Sequence, residues 1–265
     1  MKNLLIILTI FLGIKGAFAS PTDLLSSHDM RVYNLKEMGL RDLSFTIEVD
    51  GQAKALNDLK SYGPISYLTY EVFWTYKGEV DIRVKGIQGE YQQLRASLKA
   101  PIYSVLEFIF PGKLVDSVNG YELSIVSNRK VKALDKEMLK SISEIYFNFA
   151  QNGQLTQIKS KMPIGTQILT PSYKSLPATK NRWLGHKYVK KSFFGPRTMV
   201  SETSIKHQKI DGFVLPQEIT IQTTIENIDN EDKNQRVQKN AQVIRLTDFK
   251  VNADVAKGHF SKRKK

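Results

Sequence analysis

The chain has 265 residues, with 39 Lys and Arg against 26 Asp and Glu, a formal charge of +13 and no cysteine. That length suits one large β-rich domain or two small ones. The missing cysteines exclude a disulfide scaffold, so an exported product has to hold together by core packing and hydrogen bonds. A charge this positive favours anionic partners such as phospholipid headgroups, lipopolysaccharide, acidic polysaccharide or nucleic acid, with plain solubility as the alternative.

The opening MKNLLIILTIFLGIKGAFAS has a cationic start at Lys2, an apolar run from Leu4 to Ile14 and a small-x-small Ala17-Phe18-Ala19. This reads as a signal peptide over 1–19, cleaved after Ala19. The rival, a membrane anchor, needs a longer run than Lys15 permits. No cysteine follows, which excludes lipid attachment at a new N-terminus. The expected location is the periplasm.

Residues 22–39 repeat apolar positions at three- and four-residue steps and predict a helix ending at Gly39. DLSFTIEVDG alternates Leu43, Phe45, Ile47 and Val49 before an Asp-Gly turn, and a short helix is expected from Ala53 to Leu59. LTYEVFWTYKGEVDIRVKG predicts a hairpin. Its first strand sets Tyr70, Val72, Trp74 and Tyr76 on one face, with Phe73 on the other, and so should be covered on both sides. Its second strand sets Val80, Ile82 and Val84 against charged residues.

From 90 to 110 the period becomes helical, through Tyr91, Leu94, Leu98, Ile102, Val105, Leu106 and Ile109. Pro101 predicts a kink or two short helices. Strands are expected at 120–127 and in a hairpin over 144–161, with Ile145, Phe147 and Phe149 on one face. The stretch 163–198 reads as the least regular, with Trp183, Tyr188, Phe193 and Phe194 among cations. Residues 199–208 then lead through Asp211-Gly212 into KIDGFVLPQEITIQTTIE, where Ile219, Ile221, Thr223 and Ile225 share a face. An acidic loop over 226–236 and a strand over 241–252 complete about ten strands. Hairpin and short-loop connections predict an antiparallel sheet.

Catalytic and metal motifs are not found. The four histidines, His28, His186, His207 and His259, lie in separate segments, and HExxH, GxSxG, P-loop and GxGxxG patterns are absent. The DNED run at 229–232 lacks the glycine turn and distal glutamate of a calcium loop. The expectation is a protein that is not an enzyme and uses no cofactor or metal.

The one-sided strands need cover. An outer-membrane barrel of eight to ten strands is one reading. Against it stand the amphipathic segment 90–110, the terminal KRKK and the charged face Glu79, Asp81, Arg83 and Lys85. The other reading is an apolar cavity that holds an acyl chain. At about 0.8 kcal/mol per buried CH₂, a sixteen-carbon chain gains roughly 12 kcal/mol before ordering costs.

The order of elements is similar to that of periplasmic lipoprotein carriers of the LolA/LolB type and their outer-membrane lipoprotein-sorting relatives. The residues that carry the resemblance are LSFTIEV, the amphipathic hairpin, the helical 90–110 segment, VNGYELSIV, FNFAQNGQLTQI, IDGFVLPQEITI and the final DFKVN. GIQGEYQQLRAS stands where those carriers often have an Arg-Pro…Phe-Arg stretch.

The resemblance implies a mainly β (α+β) fold: a half-open antiparallel β-barrel of about ten strands with a helical lid over an apolar concave face. The expected organisation is a signal peptide over 1–19, one domain over 20–254 and a basic, disordered tail over 255–265. The function implied is a carrier or chaperone for acyl chains of lipoproteins or lipids, delivering them to the outer membrane. A non-catalytic regulatory protein on the same fold is the alternative.

Phe45, Ile47, Tyr70, Val72, Trp74, Val80, Ile82, Phe147, Ile219 and Ile221 are the expected cavity lining. Leu94, Leu98, Ile102 and Leu106 are the expected lid. Lys262, Arg263, Lys264 and Lys265 are the expected contacts to an anionic membrane. Expected partners are acyl chains, an anionic membrane surface and inner- or outer-membrane proteins, with no nucleic acid, and the protein is expected to be a monomer.

Overall fold

The computed structural model describes residues 20–227 and 237–263. The expected signal peptide, positions 228–236 of the acidic loop, Lys264 and Lys265 lie outside the described residues.

The fold is mainly β with helices added. One antiparallel sheet of twelve strands runs in the order β3-β2-β1-β12-β11-β10-β9-β8-β7-β6-β5-β4 and is not closed. It consists of two meanders. The first is β1 (Asp42–Val49), β2 (Thr69–Thr75) and β3 (Val80–Lys85). The second starts with β4 (Glu122–Ser127), β5 (Lys130–Leu134), β6 (Glu144–Phe149), β7 (Leu155–Met162) and β8 (Gly165–Ser175). It continues through β9 (Trp183–Phe194), β10 (Arg197–Ile210), β11 (Phe213–Asn227) and β12 (Val237–Val251). Antiparallel pairing of β1 with β12 joins the meanders, so the two ends of the described chain meet in mid-sheet.

This order dictates where the helices go. The chain leaves edge strand β3 and must reach edge strand β4 at the far side. It crosses on the apolar face, through α3 (Gln92–Ile109) and the short α4 (Leu114–Ser117). Helix α3 buries Leu98, Ile102, Val105, Leu106 and Ile109, a stripe at helical spacing. Pro101 is exposed and lies inside one continuous helix, so of the two expected outcomes the pair of short helices is excluded.

Helix α1 (Pro21–Asp29) starts at a capping box in which Ser20 Oγ accepts from the Asp23 N–H and Asp23 accepts from the Ser20 N–H. It stops ten residues before Gly39. There the chain leaves the helix to set Val32 beside Trp183 and to donate the Tyr33 N–H to the Trp183 carbonyl at 2.8 Å. Helix α2 (Gln52–Asp58) lies close to its expected place.

Two features raise the strand count above the expected ten. β5 is only five residues long. Residues 163–198, read from sequence as irregular, form β8 and β9, with 11 and 12 residues. Pro171 and Gly185 hid this alternation. Gly185 lies at a register shift between β8 and β9, and Pro216 sits at a shift between β10 and β11, the places where a sheet tolerates such residues.

The apolar face carries two separate cores. The larger packs α3 on β1–β3 and on parts of β9–β12; it includes Leu43, Phe45, Tyr70, Ile82, Leu215, Ile244 and Leu246. The smaller packs α1 and the α4 region on β5–β7 through Leu25, Val118, Val131, Ile145, Phe147 and Leu155.

The C-terminal residues expected as a free tail form α5 (Val255–Arg263), docked on the opposite face over β1 and β2. His259 stacks on Phe73 with ring centroids 4.0 Å apart. Its Nε2 lies 2.8 Å from the Asp81 carboxylate, which Arg263 also reaches at 2.9 Å. Burial pushes the Asp81 carboxyl up, but the His259 hydrogen bond and the Arg263 charge outweigh it and hold it below the usual carboxylate value. This helix is the second cover that Phe73 required.

Candidate functional site

The two cores do not meet over the middle of the sheet. Between them lies a cavity of about 180 Å³. Its floor is β7 to β11, through residues such as Ile158, Leu169, Tyr173, Leu184, Tyr188 and Val214. Its roof is the end of α1, the segment 32–35, the last turn of α3 and the connection 111–114.

Each roof piece is fastened by a named contact. The Asp29 carboxylate accepts from the backbone N–H groups of Leu114 (2.9 Å) and Val115 (3.1 Å), which caps α4 and ties it to α1. Tyr33 Oη accepts from the Val214 N–H at 2.9 Å. Trp74 stacks on Phe110 at 4.4 Å and holds the end of α3 on β2.

The polar groups bordering this space are few: Asp29 and Lys113 in the roof, and histidines and tyrosines that carry no charge. His28 is 2% exposed and sits among Phe149, Tyr173 and Trp183, with centroids 5.5–6.0 Å away. Its Nδ1 accepts from the Leu155 N–H at 3.2 Å, so the ring proton lies on Nε2, facing Tyr173 Oη at 3.4 Å. Burial lowers its pKa to about 4. His207 is lowered to about 4 as well, by burial and then by the charges of Lys174 and His186.

Both rings are therefore neutral at pH 7. The Nδ1 of His207 is buried and has no hydrogen-bond partner among the described residues. Burial raises Tyr188 to about 12 and pushes Tyr173 still higher, so both phenols keep their protons. Tyr188 lies against Phe108 at 5.4 Å. It fits because residue 185 is glycine: a Cβ there would stand 1.9 Å from the Tyr188 hydroxyl.

The residues expected to line a cavity lie elsewhere. Phe45, Ile47, Tyr70, Val72, Trp74, Ile82 and Ile219 are in the larger core at 3% exposure or less, with Val80 and Ile221 packed against it. Phe147, 1% exposed, belongs to the smaller core. None of the ten borders the cavity. The helical lid is corrected too. Leu98, Ile102 and Leu106 are buried in the larger core and Leu94 packs against it, so α3 fills the space that a lid would cover. Lys262 and Arg263 belong to α5.

Sequence reasoning missed His28, Leu169, Tyr173, Leu184 and His207 as site residues. The available signal was the aromatic run around Trp183 and Tyr188, whose alternation was masked by Gly185. Three of the four histidines that are scattered in sequence gather here: His28 and His207 border the cavity, and His186 is close enough to His207 to depress its pKa.

Comparison with family models, curated proteins and solved structures finds no match to this chain. What the cavity can do must be argued from its own chemistry. It is apolar, it holds no charge on its histidines at neutral pH, and it offers a few hydrogen-bonding groups at fixed places. Such a site accepts an apolar group with a small polar end. Among the described residues, no three His, Cys, Asp or Glu side chains come together to hold a metal ion.

Proposed function

We propose that this protein is a periplasmic carrier that binds acyl chains of lipids or lipoproteins at the seam between its two cores and delivers them to the outer membrane. The observation that carries this reading is the largely apolar cavity over β7–β11, roofed by segments of separate elements rather than by one continuous packed helix. At about 180 Å³ it resembles in size the apolar cavity of roughly 150 Å³ that accepts benzene. It seats the end of a chain as it stands. A longer chain enters by displacing the 111–114 connection and the last turn of α3. Each CH₂ that follows contributes about 0.8 kcal/mol against the packing it replaces.

The test is uptake of a fluorescent sixteen-carbon fatty acid, with native mass spectrometry of protein purified from cell envelopes. Leu169→Trp fills the cavity and should reduce uptake at least tenfold while the protein stays folded. Full uptake by that variant, or no uptake by the wild type, overturns the reading.

A regulatory or interaction module on this fold is the second reading. The complete packing of Tyr70, Val72 and Ile82, each at 0% exposure, favours it, because the expected concave surface is already occupied. The outer-membrane barrel loses its support. A spanning barrel closes its sheet and turns apolar residues outward, whereas β3 and β4 do not pair here and the apolar face packs on α1 and α3.

A further inference from the structure

The face of the sheet opposite the cavity has its own chemistry. Helix α5 covers it over β1 and β2, whereas over β5–β9 it meets solvent, with Lys161, Lys191 and Phe193 exposed. The registers define a continuous cross-strand row: Lys132 opposite Tyr146, Tyr146 opposite Lys159, Lys159 opposite Ile168, and Ile168 opposite Lys191. The next row sets Glu144 beside Lys161, then Thr166, then Phe193.

At about 4.8 Å per strand the first row spans roughly 19 Å. Its lysines stand about 10 Å apart, near the Debye length in physiological salt, so they repel one another little. The centre is Tyr146. The ammonium groups of Lys130, Lys132 and Lys161 lie 5.0, 5.7 and 5.7 Å from its ring. Glu144 is the carboxylate of this patch, bridged to Lys132 and Lys161 and accepting from Tyr146 Oη. Those two lysines hold it near pKa 2 together with the tyrosine hydrogen bond, the largest contribution. Within β5–β9, Lys130, Lys132, Lys159, Lys161 and Lys191 thus share the face with one carboxylate, while Glu122 of β4 and Glu202 of β10 flank it, bridged to Lys136 and Lys187.

We propose that this β5–β9 face docks the protein on an anionic phospholipid bilayer. The cations here are lysines, hydrated point charges suited to a diffuse field of headgroups, and not the forked arginines that grip single phosphates. Ile168 and Phe193 lie between them, and on a bilayer they enter the interface while the ammonium groups stay at headgroup level. The surface is broad and comes from the strands themselves, whereas single-stranded nucleic acid is followed by a groove with a ladder of stacking aromatics. The inference does not depend on the cavity reading.

The test is sedimentation of the chain from Ser20 onward with vesicles of phosphatidylcholine containing about one-third phosphatidylglycerol, and with phosphatidylcholine alone. The wild type should bind the anionic vesicles only, and less as salt rises. At roughly fivefold per lysine, Lys132→Gln/Lys159→Gln/Lys191→Gln should weaken binding roughly 100-fold. Its unfolding midpoint and its uptake of fatty acid should be unchanged. A matched triple on other surfaces, Lys54→Gln/Lys60→Gln/Lys77→Gln, should bind like the wild type. Equal loss in both triples, full binding by the β5–β9 variant, or a wild type that binds an oligonucleotide and not vesicles overturns the proposal.

Discussion

The sheet presents an apolar face along its whole width, but two stretches of it end differently. Over β1–β3, Phe45, Ile47, Tyr70, Val72 and Ile82 are 3% exposed or less and meet the side chains of α3. Over β7–β9, Leu169, Tyr173 and Tyr188 border an empty space of about 180 Å³. Both stretches have the same strand chemistry. The difference lies in what crosses above them. The crossover from β3 to β4 brings an 18-residue helix over the first stretch, and that helix ends at Ile109. The nine-residue α1 covers the far strands. Between the two helices the roof consists of loop segments, which contribute fewer apolar side chains per length than a helix face does.

The hardest way to break this comparison is to place a charge under α3. Ile102→Asp buries a carboxylate at a site 1% exposed and should cost at least about 4 kcal/mol, enough to unfold the protein at room temperature. Urea denaturation followed by circular dichroism checks it. A folded variant with near wild-type stability would mean that α3 lifts off the sheet after all, as a lid does.

Truncations compare the two stretches directly. Ile102→Ala should cost roughly 3 kcal/mol, within the range for a packed core site. Leu169 is half-buried beside a space that is already empty, so Leu169→Ala should cost about 2 kcal/mol, the low end for a leucine. Equal costs in the same denaturation series would show that the β7–β11 region is packed as tightly as the first.

Acid separates them as well. The folded pKa of His28 is about 4, below its unfolded value of 6.5, so the unfolded chain binds the proton more tightly. The stability from keeping this ring neutral is fully present above pH 6.5. It is lost as pH falls through the window from 6.5 to 4, about 2 kcal/mol by pH 4.5. Asp29 acts in the opposite sense, because burial raises its carboxyl despite the backbone bonds from Leu114 and Val115. The measurement is therefore a difference: His28→Gln should flatten the slope of unfolding free energy between pH 7 and 4.5. An unchanged slope would place the titration elsewhere.

How much of this was legible depended on how local each signal was. The amphipathic strands around Phe45, Val72 and Ile82 were readable, because period two survives in a single segment. That these residues form a filled core was not readable, because it depends on α3 crossing from one sheet edge to the other, a property of strand order. Pro101 does not split the helix for a physical reason: on the exposed side it removes one hydrogen bond, and the buried stripe on the other side holds the helix together. The HFSKRKK end suggested a free tail by composition. What docks it is a ring stack on Phe73 and a carboxylate at position 81, both distant in sequence. The cavity was the least legible feature, since its lining comes from α1, α3, two connections and five strands.

The smallest predicted effect tests whether the empty space is functional. In Gly185→Ala the new methyl would lie 1.9 Å from the Tyr188 hydroxyl, so the ring has to move. Phe108 stands on one side of that ring, and the open direction is the cavity. The variant should lose only about 1–2 kcal/mol, because the ring enters free space and not a packed wall. It should nevertheless reduce fatty-acid uptake several-fold. Gly185→Ala/Tyr188→Phe removes the closest clashing atom and leaves only the ring Cζ, 2.8 Å from the new methyl, to shift, so it should recover most of both. The fold's stability and the cavity's function then diverge in one residue pair: a double variant that regains stability without regaining uptake would separate the cavity from binding and favour the regulatory module.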